Sequence, residues 1–259
     1  AFEPPKRPLM ASDGANDVNT SGIECGGESQ SHYYEQYPSD GDNVILQRQR
    51  TIDKIGDKAI LKNFSFSAEE GTATAVLGPS GFGKTTLLNL ASGLLSPKNG
   101  KIVPFSEKPT VVFQEDRLLP WFTALENLTA LNIEKSRANE YLEKVGLSDS
   151  TDKYPEELSG GMCRRLSIAR ALAFGGNVFF FDEPLRGLDI KTFSEVLSLI
   201  KSETAGKTLF VITHSPSEAF ALAERIVVVG GSPLEIKADR AKSDFSDENE
   251  LSEFLKTVI

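Results

Sequence analysis

The stretch "TATAVLGPSGFGKTTLLNLASGLL", residues Thr72–Leu95, decides how this chain folds. Its opening "TATAVL" has the composition of a strand, and "TTLLNLASGLL" has the apolar spacing of an amphipathic helix. Between them lies "GPSGFGKTT", Gly78–Thr86, which satisfies the spacing G-x-x-x-x-G-K-[ST]. The chemistry needs these residue types at this junction. Glycines let backbone N–H groups turn inward around phosphate oxygens, and the helix N-terminus adds its positive end. Lys84 reaches the outer phosphates and Thr85 offers a hydroxyl to Mg²⁺. Gly78, Pro79, Ser80, Gly81, Phe82, Gly83, Lys84, Thr85 and Thr86 are therefore the first candidates for contact with a nucleotide.

Outward from this loop, short apolar runs alternate with helical patterns. "PTVVFQ", "NVFFFDE", "KTLFVITH" and "RIVVVGG" read as further strands, near-continuous in Val, Ile, Leu and Phe. Strands of that kind are buried on both faces, which predicts an α/β fold with a mainly parallel sheet covered by helices. Open sheets place ligands at the carboxyl ends of their strands. There "VFFFDE" delivers Asp182, a carboxylate suited to Mg²⁺ through its water shell, and Glu183, suited to orienting or polarising an attacking water. Gln114 and His214 end two other strands. Each side chain satisfies turn hydrogen bonds in many proteins, or here contacts a terminal phosphate without adding negative charge.

The helical segments carry their own signals. "SRANEYLEKVG" puts Ala138, Tyr141, Leu142 and Val145 on one face, and "KTFSEVLSLIK" does so with Phe193, Val196, Leu197 and Ile200. "HSPSEAFALAE" predicts Ser215 as an N-cap, Pro216 at the first helical position and Glu218 closing a capping box. Leu251, Phe254, Leu255 and Val258 give the C-terminal segment one apolar face, expected to dock on the core.

Charge and cysteine usage exclude several classes. The 259 residues carry a net charge of -9. Residues 1–43 hold eight Asp or Glu against Lys6 and Arg7, leaving about -3 for the rest. With no basic excess, nucleic acid is not an expected partner. Residues 1–43 lack any period and are expected to be a disordered acidic leader, followed by one domain over 44–259. No run of about 18 apolar residues occurs, so no membrane-spanning helix is expected. Cys25 and Cys163 are the only cysteines, too few for a disulfide framework or a cysteine metal site. Cys163 is expected to be a packed helix residue.

"EELSGGMCRRLSIARAL", Glu156–Leu172, opens a second glycine-rich helix entrance. It has no Lys and no preceding strand, so it cannot cradle a nucleotide alone. With it, the order of motifs resembles the ATP-binding cassette (ABC) ATPases: "GPSGFGKTT", Gln114, "LSGGM", "VFFFDE", "LRGLD" and His214 look like Walker A, Q-loop, signature, Walker B, D-loop and switch histidine. The resemblance covers roughly Val44 to Gly230.

That resemblance implies a RecA-like P-loop NTPase core with a small antiparallel part and a helical subdomain over about 115–165. It implies ATP and Mg²⁺ as cofactors, with Thr85, Gln114 and Asp182 on the metal side and Lys84, Gln114, Glu183 and His214 in catalysis. It also implies a second cassette, most simply a homodimer, in which Ser159, Gly160 and Gly161 meet the neighbour's γ-phosphate and Asp189 helps join the two sites. "QEDRLLPWFTALENL" is similar to the matching stretch of nitrate, sulfonate, taurine and bicarbonate importer ATPases. This implies transmembrane permease subunits, an extracytoplasmic solute-binding protein in the system, and residence at the cytoplasmic face of the membrane. A non-transport ABC ATPase of repair, chromosome structure or translation is the alternative. Pro120, Trp121 and Phe122 are read equally as helix-start packing or as an interface. One departure stands out: Ile55 occupies the place where such cassettes usually carry an aromatic against adenine.

Overall fold

The computed structural model describes residues 43–47, 53–55, 58–62, 64–103, 105 and 109–259, with the backbone alone for 43–47, 53–55, 58 and 59. The chain divides into two units, 1–40 and 41–259. Every described residue belongs to the second unit, and the expected leader lies outside the described residues except for Asn43.

The main sheet follows from the five runs read as strands. β5 (Ala73–Leu77), β7 (Thr110–Val112), β8 (Val178–Asp182), β9 (Thr208–Thr213) and β10 (Arg225–Gly230) are all parallel, and β11 (Glu235–Ala241) adds antiparallel to β10 at the edge. The spatial order is β11-β10-β5-β9-β8-β7. A separate antiparallel sheet joins β4 (Phe66–Glu69), β1 (Asn43–Gln47) and β6 (Lys101–Ile102). β2 (Asp53–Ile55) pairs only with β3 (Lys58–Leu61) among the described strands.

The period of two along each central strand feeds two cores. Phe180, Phe210, Ile212, Val227 and Val229 pack on one face with Leu87 and Leu88 of α1 (Lys84–Ala91). Phe179, Phe181, Leu209, Val211, Ile226 and Val228 pack on the other face with residues of the remaining helices. Both faces are covered, so the strands are apolar along most of their length, and the phenylalanine run of β8 follows from that need. Phe180 is fully buried, its ring centroid 5.1 Å from that of Phe210 and 5.6 Å from that of Phe105.

Between β7 and β8 lie α2 (Ala124–Thr129), α3 (Lys135–Lys144) and α4 (Gly160–Phe174). α3 buries Ala138, Tyr141 and Leu142 as its spacing predicts, and Val145 just beyond it is buried too. The loop ahead of α2 is knotted around Asn127. This fully buried amide accepts from Leu119 N–H at 2.8 Å and donates to the carbonyls of Leu119, Phe122 and Thr123 at 3.0 to 3.1 Å. Trp121 is thereby held outward with 67% of its surface exposed, while Phe122 is half-buried beside it. α5 (Ile190–Glu203), α6 (Pro216–Leu222) and α7 (Glu248–Val258) complete the second face. α7 docks on the core through buried Leu251 and Leu255, with Phe254 and Val258 packed alongside.

Candidate functional site

β5 ends where Gly78 must pass β10 without a side chain. A Cβ on Gly78 would lie 2.2 Å from the carbonyl oxygen of Val229, a backbone atom that cannot step aside. The loop then turns through Gly81 (φ +82°) and Gly83 (φ +98°), left-handed geometry that glycine adopts without strain. A Cβ on Gly83 would also meet Ile60 Cγ2 at 2.3 Å. Gly83 caps α1 with no side-chain hydrogen bond, so no side chain caps the first-turn N–H groups.

Lys84 is buried and its ammonium donates to the carbonyls of Gly78 at 2.8 Å and Pro79 at 2.7 Å, bracing the loop. Burial lowers its pKa, opposed by the charges of Glu183 and Asp182. Thr85 Oγ1 donates to Asp182 Oδ2 at 2.7 Å across the sheet edge. Burial raises the Asp182 pKa, against the hydrogen bond from Thr85, and the neighbouring Glu183 charge raises it further. A cavity of about 460 Å³ opens here, lined by Ser80 to Thr86, Gln114, Asp182 and Glu183, with Ile60, Ile212 and Ser232.

Glu183 is the focus of the polar wall. Its carboxylate takes a hydrogen bond from Gln114 Nε2 at 3.5 Å and an ion pair from Arg186 Nη1 at 3.3 Å. His214 Nδ1 stands 3.5 Å from its other oxygen. Four strand ends thus deliver Lys84, Gln114, Asp182 with Glu183, and His214 to one edge, as the sequence predicts. Ser159, Gly160, Gly161 and Asp189 are not among the residues lining this cavity. Ser159 caps α4 by accepting from Met162 N–H, and Asp189 caps α5 by accepting from Thr192 N–H. Ile55 closes β2, but its side chain lies outside the described residues.

Other features were not legible beforehand. Ile60 and Ser232 sit far from any motif, although the short gap between the loop and its neighbours is what Gly83 signals. Cys163 is half-buried, its thiol 3.5 Å from the Pro155 carbonyl, and its pKa is raised by burial and by Asp116. Glu218 corrects an expectation. Ser215 does cap α6, accepting from Glu218 N–H at 3.3 Å, but no capping box forms. The Glu218 carboxyl instead turns inward, 3% exposed, and accepts from Thr213 Oγ1 at 2.5 Å. Its other oxygen has no partner among the described residues. Burial pushes its pKa up to about 7, the Thr213 hydrogen bond and the Arg164 charge pulling the other way. The first turn of α6 packs so closely on β9 that the side chain reaches the strand end more easily than its own cap.

A phosphate loop, a second glycine-led helix and a Walker-type carboxylate pair in this order narrow the relatives. A family model described as "ABC transporter" matches residues 61–186. The taurine import ATP-binding protein TauB of Pseudomonas aeruginosa (strain UCBPP-PA14) is 38% identical over 219 residues, covering 78% of this chain and 82% of that protein. The chain belongs to the ABC transporter family. This ABC cassette is also 38% identical to the aliphatic sulfonates import ATP-binding protein SsuB of Zymomonas mobilis, over 73% of the chain and 83% of that protein. The bicarbonate transport ATP-binding protein CmpD of Synechocystis sp. is 37% identical, over 76% of the chain and 78% of that protein. Among solved structures, the dimeric post-hydrolysis state of the ATP-binding cassette MJ0796 bound to ADP and Pi superposes with a TM-score of 0.69 at 29% identity, covering 77% of this chain and 98% of that one. The cassette fold expected from the sequence is thus the fold observed, and the family is one of ATPases.

Proposed function

We propose that this cassette is the ATP-hydrolysing, nucleotide-binding subunit of a membrane importer for a small anionic or sulfonate-like solute. The observation that carries the reading is the convergence of Lys84, Thr85 with Asp182, Gln114 and Glu183 on one cavity, with the His214 imidazole 3.5 Å from the Glu183 carboxylate. The taurine and aliphatic sulfonate import and bicarbonate transport roles in the names of the relatives support the importer assignment and its solute class. Among the described residues no helix is long and apolar enough to cross a membrane; on this reading permease subunits supply the pathway for the solute.

The donor set fits Mg²⁺. Thr85 Oγ1 and Asp182 Oδ2 are hard oxygens 2.7 Å apart at the mouth of the phosphate loop, with Gln114 lining the same cavity. Among the described residues no group of three His, Cys, Asp or Glu forms a cage. Mg²⁺ characteristically takes one or two protein oxygens and completes its shell with substrate phosphates and water. When bound it supplies neutralising charge on the phosphate oxygens.

The chain's own residues divide the remaining work. The Lys84 ammonium exchanges the Gly78 and Pro79 carbonyls for the outer phosphates of ATP. Glu183 orients the attacking water and takes its proton on a carboxylate oxygen. Gln114 Nε2 and the His214 imidazole donate to the γ-phosphate oxygens or to that water. Ser159, Gly160 and Gly161 act on the nucleotide of a second copy. A side chain built on Gly160 would meet nothing within 4 Å inside this chain, which leaves that face open to a neighbour. The apolar groove of about 380 Å³ beneath Leu119, Leu131 and Phe174 is the proposed seat of a permease helix, with exposed Trp121 nearby. A solute-binding protein outside the membrane completes the system. The cassette then sits at the cytoplasmic face of the membrane.

Glu183→Gln separates binding from hydrolysis. Turnover should fall by roughly 100-fold or more, the scale of a lost general base. Light scattering should show the mass of this variant doubling on addition of Mg-ATP. Unimpaired turnover removes Glu183 from the chemistry. A monomer that demonstrably binds ATP overturns the homodimer.

A further inference from the structure

Arg164 lies in the second turn of α4, five residues after Ser159, and is 4% exposed. A guanidinium carries five N–H donors in a fixed planar fork. All five are used. Nε donates to the Pro184 carbonyl at 2.7 Å. Nη2 donates to the carbonyls of Asp182 at 2.9 Å and Glu183 at 2.5 Å. Nη1 donates to the Phe113 carbonyl at 2.6 Å and to Asp116 Oδ1 at 3.2 Å. Four of the five acceptors are backbone carbonyls. They belong to the carboxylate elbow and to the residue just before Gln114.

Glu183 needs such a hold. Its φ is +48°, a left-handed conformation that costs a non-glycine residue energy and persists only where the surroundings fix it. Two other described non-glycine residues share a positive φ, Arg117 and Asn132, and both are exposed, outside any helix or strand. Glu183 is buried. Its N–H donates to the Ile212 carbonyl at 2.8 Å, and its own carbonyl is held by Arg164. Both peptide groups flanking the strained residue are thus pinned, one by β9 and one by α4.

We infer that Arg164 is a positioning residue for hydrolysis, fixing the elbow that presents the Glu183 carboxylate and the backbone that presents Gln114 to the first turns of α4. It touches no part of the cavity itself. Because Ser159 caps α4 just ahead of Arg164, displacement of that helix end is carried directly to Glu183. This inference rests on the reading of Glu183 as the residue that handles the water.

The test compares Arg164→Lys and Arg164→Gln in the full chain. A lysine brings three donors from one point and a glutamine two, so neither rebuilds a five-donor plane. Three quantities are measured: steady-state kcat, affinity for a fluorescent ATP analogue, and melting temperature. In both variants kcat should fall by roughly tenfold or more, the scale expected when a catalytic group loses its alignment, while nucleotide affinity stays within about threefold. Introduced on top of Glu183→Gln, either substitution should leave the residual turnover unchanged, because both act through one group. Should Arg164→Gln not fold, Arg164→Lys carries the test, with Asp116→Asn as a milder loosening of the outer arm. A kcat within about twofold of the parent in Arg164→Lys, while Glu183→Gln abolishes turnover, overturns the inference and spares the reading of Glu183. A parallel loss of affinity, kcat and melting temperature also overturns it, showing a scaffold role only.

Discussion

Replacing Glu218 by Gln isolates the cost of one buried carboxyl. The side chain is 3% exposed, and its pKa is about 7 in the folded chain against an ordinary 4.5. The folded state therefore binds the proton more tightly than the unfolded state. Its stabilising effect is complete below the ordinary pKa and is lost as pH rises through the folded value. That separation corresponds to about 3 kcal/mol once the carboxylate is fully charged. Gln has the same shape, keeps an acceptor for Thr213 and does not titrate. The stability gap between Glu218→Gln and the parent should thus shift by about 2 to 3 kcal/mol in favour of the variant between about pH 5 and pH 8. For a domain of this size the difference in melting temperature should change by about 5 to 10 °C over that range. Calorimetric scans of both proteins at several pH values measure it. Any constant difference in hydrogen bonding cancels, since only the change with pH is read. A gap that stays constant within about 2 °C refutes the claim that burial holds the proton on Glu218.

Two further outcomes follow from single positions. Gly78→Ala should lower the melting temperature by roughly 5 °C and weaken ATP binding, since its methyl would overlap the Val229 carbonyl and overpacking costs about 1 to 3 kcal/mol; an unchanged melting curve and affinity would refute it. Trp121→Ala should leave the melting temperature and ATPase rate of the isolated cassette within experimental error, because the ring is largely solvated, yet weaken capture by detergent-solubilised permease. Equal capture of both proteins would place the docking surface elsewhere.

The parallel sheet was readable because its strands are buried on both faces, so apolar content and strand position coincide in β5, β8, β9 and β10. The polar strand ends were readable for the same reason: a lone Gln, Asp or His after such a run marks the edge where the sheet opens. Short antiparallel strands carry little signal, since β6 spans two residues and β11 alternates with mostly charged side chains. Arg164 was hidden among "MCRRL", where a helical arginine reads as solvated and only the fold reveals which of two neighbours turns inward. Arg165, next to it, reaches the Val145 carbonyl instead. Glu218 misled because Ser-x-x-Glu is a local pattern, and a local pattern cannot register that a strand end lies within reach of the same carboxyl. Cavity walls such as Ile60 and Ser232 arise from chain segments brought together only by folding.

The Asn127 knot has a kinetic consequence. Its amide fastens Leu119, Phe122 and Thr123, so the segment bearing Trp121 is already rigid before anything docks against it. A partner meeting such a surface has no loop to freeze, and a well-shaped encounter proceeds without waiting for rearrangement. Competing partners would then be sorted by residence time more than by speed of arrival. Loosening the knot would reverse that order, slowing capture first.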